Sequence, residues 1–221
     1  MEDSKSTVSL KTMLDAKRAD FAAKAPDSKK KLYAEGIQAV ADSGIMESAI
    51  NVGDRAPLFS LTNATGNTVS LADVLKKGPV VLTWYRGGWC PYCNITLRSL
   101  QKELSYFKAK GVSLIALSPE LPDKSLTTAE KNELNFEVLS DVGNVVAKEY
   151  GIVFELIEGV ADSYNKAFNL PEYNGDDSNE LPLAASYVIN TDGTIVYAFL
   201  DADYRNRAEP SDIKKALQSI L

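Results

Sequence analysis

Two cysteines, Cys90 and Cys93, stand three residues apart as Cys-Pro-Tyr-Cys, and they are the only cysteines in 221 residues. Sulfurs at that spacing could do thiol–disulfide chemistry, one attacking and its neighbour resolving. The chain has no histidine. That excludes Ser-His-Asp and Cys-His catalysis, the common zinc ligand sets and the usual general base near neutral pH. Activation of a thiol must then come from electrostatics. Pro91 suits the first position of a helix, because its missing N–H would be unpaired there anyway. Cys90 is then the N-cap and Cys93 lies in the first turn, facing unpaired backbone N–H groups and the positive end of the helix dipole. Helix starts lower a thiol pKa from about 8.5 to as little as about 3.5. Arg86, four residues before Cys90, adds positive charge, and Gly87-Gly88 permits close approach of the backbone to a substrate. Trp89 reads as a wall of the site. Tyr92 and Tyr85 offer hydroxyls near the sulfurs, with strand packing the alternative for Tyr85.

Other uses of the pair are weaker. A structural disulfide closing so short a loop removes little chain entropy, less than the roughly 3 kcal/mol of a 15-residue loop. A metal or cluster would need carboxylates or a second subunit to complete its ligands. No glycine-rich phosphate loop is present, so neither a metal nor another cofactor is expected.

The elements that must position these residues follow from hydrophobic patterning. Val80 to Tyr85 is a near-continuous apolar, β-branched run, the pattern of a strand buried on both faces. The helix after the cysteines carries Leu97, Leu100, Leu104 and Phe107 on one stripe and ends at Lys110-Gly111. Val112 to Leu117 reads as a second buried strand, Thr127 to Leu134 as a helix, Phe136 to Leu139 as a third strand and Asn144 to Tyr150 as a helix. Residues 63–67 read as the turn of a small hairpin, and Leu71 to Lys77 as one or two helical turns. Asn169 to Pro182 is polar and aperiodic, which predicts a long surface loop. Ser186–Asn190 and Thr194–Leu200 flank Asp192-Gly193 as a tight hairpin, and Ser211 to Leu221 is an amphipathic helix. This order predicts an α/β fold, a mixed sheet with helices on both faces.

Length and composition set the frame. Forty-five per cent apolar and 24% charged residues are ordinary for a globular chain, and 221 residues suit one domain with an appendage. Residues 1–50 read as a separate helical extension, with Leu10, Met13 and Leu14 on one face and a second helix starting after Pro26-Asp27-Ser28. The extension is expected to pack on the domain of residues 51–221 or to form a dimer contact, rather than to take part in catalysis. A net charge of −6 argues against nucleic acid and anionic membranes as partners. No run of about 18 apolar residues appears, and Met1–Lys5 lacks the basic-then-apolar order of a secretory signal. The expected location is cytoplasmic.

From about residue 52 onward the chain resembles the peroxiredoxin-like branch of the alkyl hydroperoxide reductase C / thiol-specific antioxidant family. The matching pieces are residues 52–59, Arg86–Cys93, Leu139-Ser140-Asp141 and residues 203–207. The resemblance implies a thioredoxin-like fold and thiol-dependent reduction of hydroperoxides, with thioredoxin or glutathione/glutaredoxin systems as reductants. Typical members place a threonine three residues before the attacking cysteine and a proline four before that. Laid on this sequence, the attacker falls on Cys93, the threonine position holds Cys90 and the proline position holds Arg86. The family's distant arginine should precede the Tyr187 strand, where Ala184-Ala185 stands instead. Arg86, Arg205 or Arg207 would have to replace it; for Arg205 and Arg207 the alternative is salt-bridging to Asp201 or Asp203.

Three function classes follow. In a thiol peroxidase, one cysteine attacks the peroxide and the other resolves the sulfenic acid; family placement favours Cys93 as attacker, and the thioredoxin analogy favours Cys90. In a disulfide oxidoreductase, Cys90 attacks a substrate disulfide and Cys93 releases it. In a redox sensor, the disulfide state alters a partner surface. The first reading is taken here.

Overall fold

The computed structural model describes residues 8–63 and 65–221; Met1–Thr7, with the Met1–Lys5 start, and Ala64 lie outside the described residues. Its centre is a five-stranded sheet built from β3 (Val80–Trp84), β4 (Ser113–Ser118), β5 (Glu137–Ser140), β8 (Ser186–Ile189) and β9 (Ile195–Phe199), in the order β5-β4-β3-β8-β9. β3, β4 and β5 are parallel, with Val80 opposite Ser113 and Ile115 opposite Glu137. β8 runs antiparallel to β3, pairing Thr83 with Ser186, and β9 closes the edge as a hairpin. Its turn is made at Asp192-Gly193, where Gly193 takes φ +87°, a conformation glycine adopts without steric cost.

Every residue of β3 is buried, as its apolar run predicts. Val81, Leu114 and Val188 point to one face and pack with Leu100, Leu104 and Phe107 of α5 (Pro91–Ala109) and with Ile213 and Leu217 of α10 (Pro210–Gln218). Leu82, Trp84 and Ile115 point to the other face, against Leu71 of α4 (Leu71–Leu75) and Val146 and Tyr150 at α7 (Val145–Glu149). The expected mixed sheet with helices on both faces is what forms. A hairpin of β1 (Ser60–Thr62) and β2 (Thr68–Ser70) flanks the sheet, with Asn63 bridged to Leu139 of β5.

Residues 169–182 are not the structureless loop that their polarity predicts. They contain α9 (Leu170–Asn174) and β7 (Glu180–Pro182), and β7 pairs with β6 (Val153–Glu155) as a two-stranded sheet. Leu170 and Leu181 are buried. Each element buries too few apolar side chains to show a period. The helix expected at Thr127–Leu134 begins earlier, as α6 (Pro122–Lys131) with proline in its first turn. Between β6 and α9 lies α8 (Glu158–Phe168), which buries Val160, Ala161 and Tyr164.

The first 50 residues supply α1 (Leu10–Lys24), α2 (Asp27–Asp42) and α3 (Ile45–Ser48). Leu10 and Leu14 of α1 pack against α5, in one apolar cluster with both cysteines, and α2 lies along α8. No helix among the described residues is long and apolar enough to cross a membrane.

Candidate active site

The end of β3 delivers the chain into Tyr85–Trp89, and α5 starts with Pro91 in its first turn and Cys90 as its N-cap. Gly87 and Gly88 stand where a side chain would not fit. A Cβ on Gly87 would lie 2.2 Å from the Trp89 indole nitrogen, and one on Gly88 would lie 2.1 Å from Thr128 Oγ1. The Gly88 peptide is held on both sides. Its N–H donates to Glu120 Oε1 at 2.6 Å, and its carbonyl accepts from Asn94 Nδ2 at 2.8 Å. Asn132 Nδ2 in turn donates to Asn94 Oδ1 at 2.8 Å.

Both cysteines are free thiols, each 1% exposed, and they lie 3.1 Å apart. Their surroundings differ. Cys93 Sγ accepts from the Arg86 backbone N–H and from Arg207 Nη2, each at 3.4 Å. Burial opposes ionisation of Cys93. The hydrogen bond from Cys90, the Arg207 charge and the Arg86 N–H outweigh it and hold this thiol well below the ordinary range. Cys90 goes the other way: burial first, then the adjacent Cys93, push its thiol well up.

Arg86 is 2% exposed. Its Nη2 donates to Tyr164 Oη at 2.9 Å, and its guanidinium carbon lies 4.1 Å from the Tyr204 ring centroid, 5.1 Å from Trp89 and 5.4 Å from Tyr164. Nε and Nη1 have no partner. The group stays charged in this aromatic cage. Trp89 stacks on Phe168 at 4.4 Å, and Tyr92 meets Tyr204 edge-on at 5.7 Å. The Tyr85 side chain is buried, and after burial itself the nearby Glu120 charge does most to push its hydroxyl's pKa up.

The two later arginines part company. Arg207 reaches Cys93 and anchors its own loop by donating to the Tyr204 and Asn206 carbonyls. Arg205 instead grips Asp203 through Nε and Nη2 at 2.7 and 2.8 Å, the salt-bridging alternative. Ala184 and Ala185 are buried where the family's arginine was expected, and Arg207 brings a guanidinium to the sulfur from the loop after β9. Asp141, part of the matching Leu139-Ser140-Asp141 piece, holds the start of α7 by accepting the Val146 and Ala147 N–H groups at 2.9 Å each.

Three side chains at the site were not found from the sequence. Tyr164 sits on α8, whose Val160, Ala161 and Tyr164 repeat at helical spacing and gave a usable signal. Glu120 is wholly buried, and a lone glutamate after a strand carries no signal of that. Tyr204 lies within a family-like stretch but had no assigned role. α1 also reaches the site. Its Lys11 backbone N–H donates to the Glu209 carboxylate, and Arg18 Nη2 donates to Asn206 Oδ1 at 2.8 Å. Together with Leu10 and Leu14, these contacts lay the helix over the thiols.

A reduced cysteine pair at a helix start, on a five-stranded mixed sheet of this order, defines a thioredoxin-fold thiol oxidoreductase. Residues 52–198 match the AhpC/TSA family. Peroxiredoxin Bcp of Escherichia coli (strain K12) is 30% identical over 152 residues, which cover 69% of this chain and 86% of that protein. The chain belongs to the AhpC/TSA family. Among solved structures, peroxidoxin BcpB from Mycobacterium tuberculosis superposes with TM-score 0.59 at 22% identity, over 77% of this chain and 96% of that one. The reduced 2-Cys peroxiredoxin of Plasmodium vivax gives TM-score 0.60 at 19% identity, over 77% and 82%. Both show the shared fold.

Proposed function

We propose that the chain is a thiol-dependent peroxidase in which Cys93 attacks and Cys90 resolves. The observation that carries this assignment is the pair of donors on Cys93 Sγ, the Arg86 N–H and Arg207 Nη2; Cys90 has no comparable stabilisation. The Cys93 thiolate attacks the terminal peroxide oxygen. An S–O bond forms, the O–O bond breaks, and the leaving oxygen takes a proton to become water or an alcohol. Cys93 is then a sulfenic acid, and attack by Cys90 expels water and leaves a Cys90–Cys93 disulfide. Arg86 and Arg207 are the groups placed to hold the peroxide oxygens, with Trp89, Tyr92, Tyr164 and Tyr204 as walls. Arg205, paired to Asp203, is given no substrate contact.

Burial favours a peroxide over a protein disulfide as the oxidant. Thiols that are 1% exposed admit a small molecule far more readily than a folded partner. A thioredoxin-type dithiol then reduces the disulfide, which requires α1 to move aside. Residues 1–50 are accordingly a covering extension on a catalytic domain of residues 51–221, a division supported by the family match beginning at residue 52.

The test is stopped-flow fluorescence of the reduced protein mixed with peroxide, reporting through Trp89. Cys93→Ser should abolish the fast phase. Cys90→Ser should keep it and accumulate a sulfenic acid that dimedone traps. A fast phase surviving in Cys93→Ser would overturn the assignment of the attacker.

A further inference from the structure

A small cavity of about 20 Å³ lies between α2 and α8, lined by Arg86, Tyr164 and Tyr204 together with Ile37, Val40 and Val160. It has room for little more than one water-sized particle. Arg86 is 2% exposed, and its Nε and Nη1 are without a partner. Among the described residues its guanidinium donates only to the Tyr164 hydroxyl, and no carboxylate lies within ion-pair distance of it. The Glu155 carboxylate borders the cavity from an exposed position, where water screens it. Aromatic faces at 4.1 to 5.4 Å attract the guanidinium but hold no lone pair for its N–H groups. A water would meet those donors and leave the charge uncompensated. Tyr164, which accepts from Arg86, keeps its own proton to donate.

The same arginine is tied to the sulfurs. Its backbone N–H donates to Cys93 Sγ at 3.4 Å, and its charge favours the thiolate form of either cysteine. In the reduced protein the ionised pair therefore supplies countercharge to Arg86. Oxidation removes it. The Cys93 thiolate and the Cys90 thiol give up two electrons and one proton and join as a disulfide, which carries no charge. We propose that the Arg86 cavity is a binding site for one monatomic anion of chloride or bromide size, filled in the disulfide form and released when the thiolate returns. Sulfate, phosphate and carboxylates are too large for it. The donors of Arg86 thus serve the oxidant while Cys93 is a thiolate and the halide once the disulfide has formed. The site works alike whether a peroxide or another disulfide oxidises the pair, so it does not depend on the peroxidase reading. Removing a unit charge from within about 10 Å, at an effective dielectric of about 20, changes an anion's affinity by about tenfold. By linkage, the anion makes the pair harder to reduce by the same factor.

The test is the redox equilibrium of the pair against reduced and oxidised dithiothreitol at pH 7, read by thiol alkylation. The protein's disulfide gains two electrons as dithiothreitol closes its own ring, so the exchange balances. Potassium bromide replaces potassium gluconate at constant ionic strength. At saturating bromide the equilibrium constant for reduction should fall by about tenfold, or about 30 mV. Potassium sulfate at the same ionic strength should leave it unchanged. Arg86→Gln should remove the bromide effect, and crystals of the oxidised protein grown in bromide should show an anomalous peak beside Arg86. If the glutamine variant folds poorly, the bromide and sulfate comparison in wild type carries the test alone. An equilibrium constant unmoved by bromide would overturn the site. Equal shifts in bromide and sulfate would overturn it too, by assigning the effect to screening of surface charge. So would a bromide shift that survives in Arg86→Gln. None of these results touches attack by Cys93 on a peroxide, whereas a pair that forms no disulfide at any dithiothreitol ratio would overturn both the anion linkage and the resolving role of Cys90.

Discussion

Removing the Arg207 charge tests why Cys93, and not Cys90, is the reactive sulfur. Arg207 is 7% exposed and its Nη2 stands 3.4 Å from Cys93 Sγ. A hydrogen bond to a charged group contributes about 1.5–3 kcal/mol, and 1.36 kcal/mol is a factor of ten between protonation states. Arg207→Met should therefore lower the thiolate-to-thiol ratio of Cys93 by about ten- to a hundredfold. The smaller figure applies if the Arg86 N–H, which remains, tightens in compensation. The sign is fixed, because losing a cation disfavours the thiolate and moves its titration to higher pH. The assay is the pH dependence of Cys93 alkylation by iodoacetamide in a Cys90→Ser background, read by peptide mass spectrometry, alongside the peroxide rate at pH 7. Arg207 also anchors its loop through the Tyr204 and Asn206 carbonyls, so Arg207→Lys serves as the charge-retaining control and should recover part of the loss. An unchanged titration in Arg207→Met would refute the electrostatic account. Equal losses in the methionine and lysine variants would refute it too, and would assign the effect to loop order.

Further expectations concern the surrounding scaffold. Burial pushes the Glu120 carboxyl above its usual value, against the Gly88 N–H and Thr128 hydroxyl that oppose the shift. The native state thus keeps a proton that the unfolded chain releases near pH 4.3, and wild-type stability falls as pH rises through the native pKa; in Glu120→Gln this loss disappears, so the variant gains on wild type between pH 4 and pH 7 in thermal melts. Identical pH slopes would contradict this. Leu14→Ala should cost about 2–3 kcal/mol and speed alkylation of both thiols, since Leu14 is buried in the cysteine cluster; unchanged alkylation would show that α1 does not shield them. Gly78→Ala would set a Cβ 2.0 Å from the Gly111 carbonyl oxygen at a φ of +159°, a backbone clash expected to cost about 2–3 kcal/mol in urea unfolding. A cost within 0.5 kcal/mol, about that of a neutral surface change, would show that the Gly78–Gly111 approach is loose.

The sheet and the cysteine helix were legible because their signals are local. An all-apolar run such as Val80–Trp84 has few readings other than a doubly buried strand, and Pro91 fixes where α5 begins. The attacking geometry was half legible: motif placement favoured Cys93, but nothing local says that Arg207, 114 residues away, donates to it. Arg205 and Arg207 look alike in the sequence and do different work, because only the fold of the 201–209 loop decides which one faces Asp203. β6, β7 and α9 were missed because three- to five-residue elements carry too few apolar positions to show a period. Residues 1–50 read as packed on the domain or as a dimer contact; no local pattern shows that α1 shares an apolar cluster with both cysteines or that α2 walls the cavity at Arg86.

The distance along the chain between Cys93 and Arg207 also sets a sequence of events at the ribosome. At about 5–20 residues per second, the 114 residues that separate them take about 6–23 s to make. Throughout that interval the nascent Cys93 lacks the Arg207 guanidinium, and α1 has no 201–209 loop to dock on. The sulfur therefore spends its synthesis without one of the cations that favour its thiolate. It acquires that donor only when the last tenth of the chain arrives, in the same step that draws the helix over it.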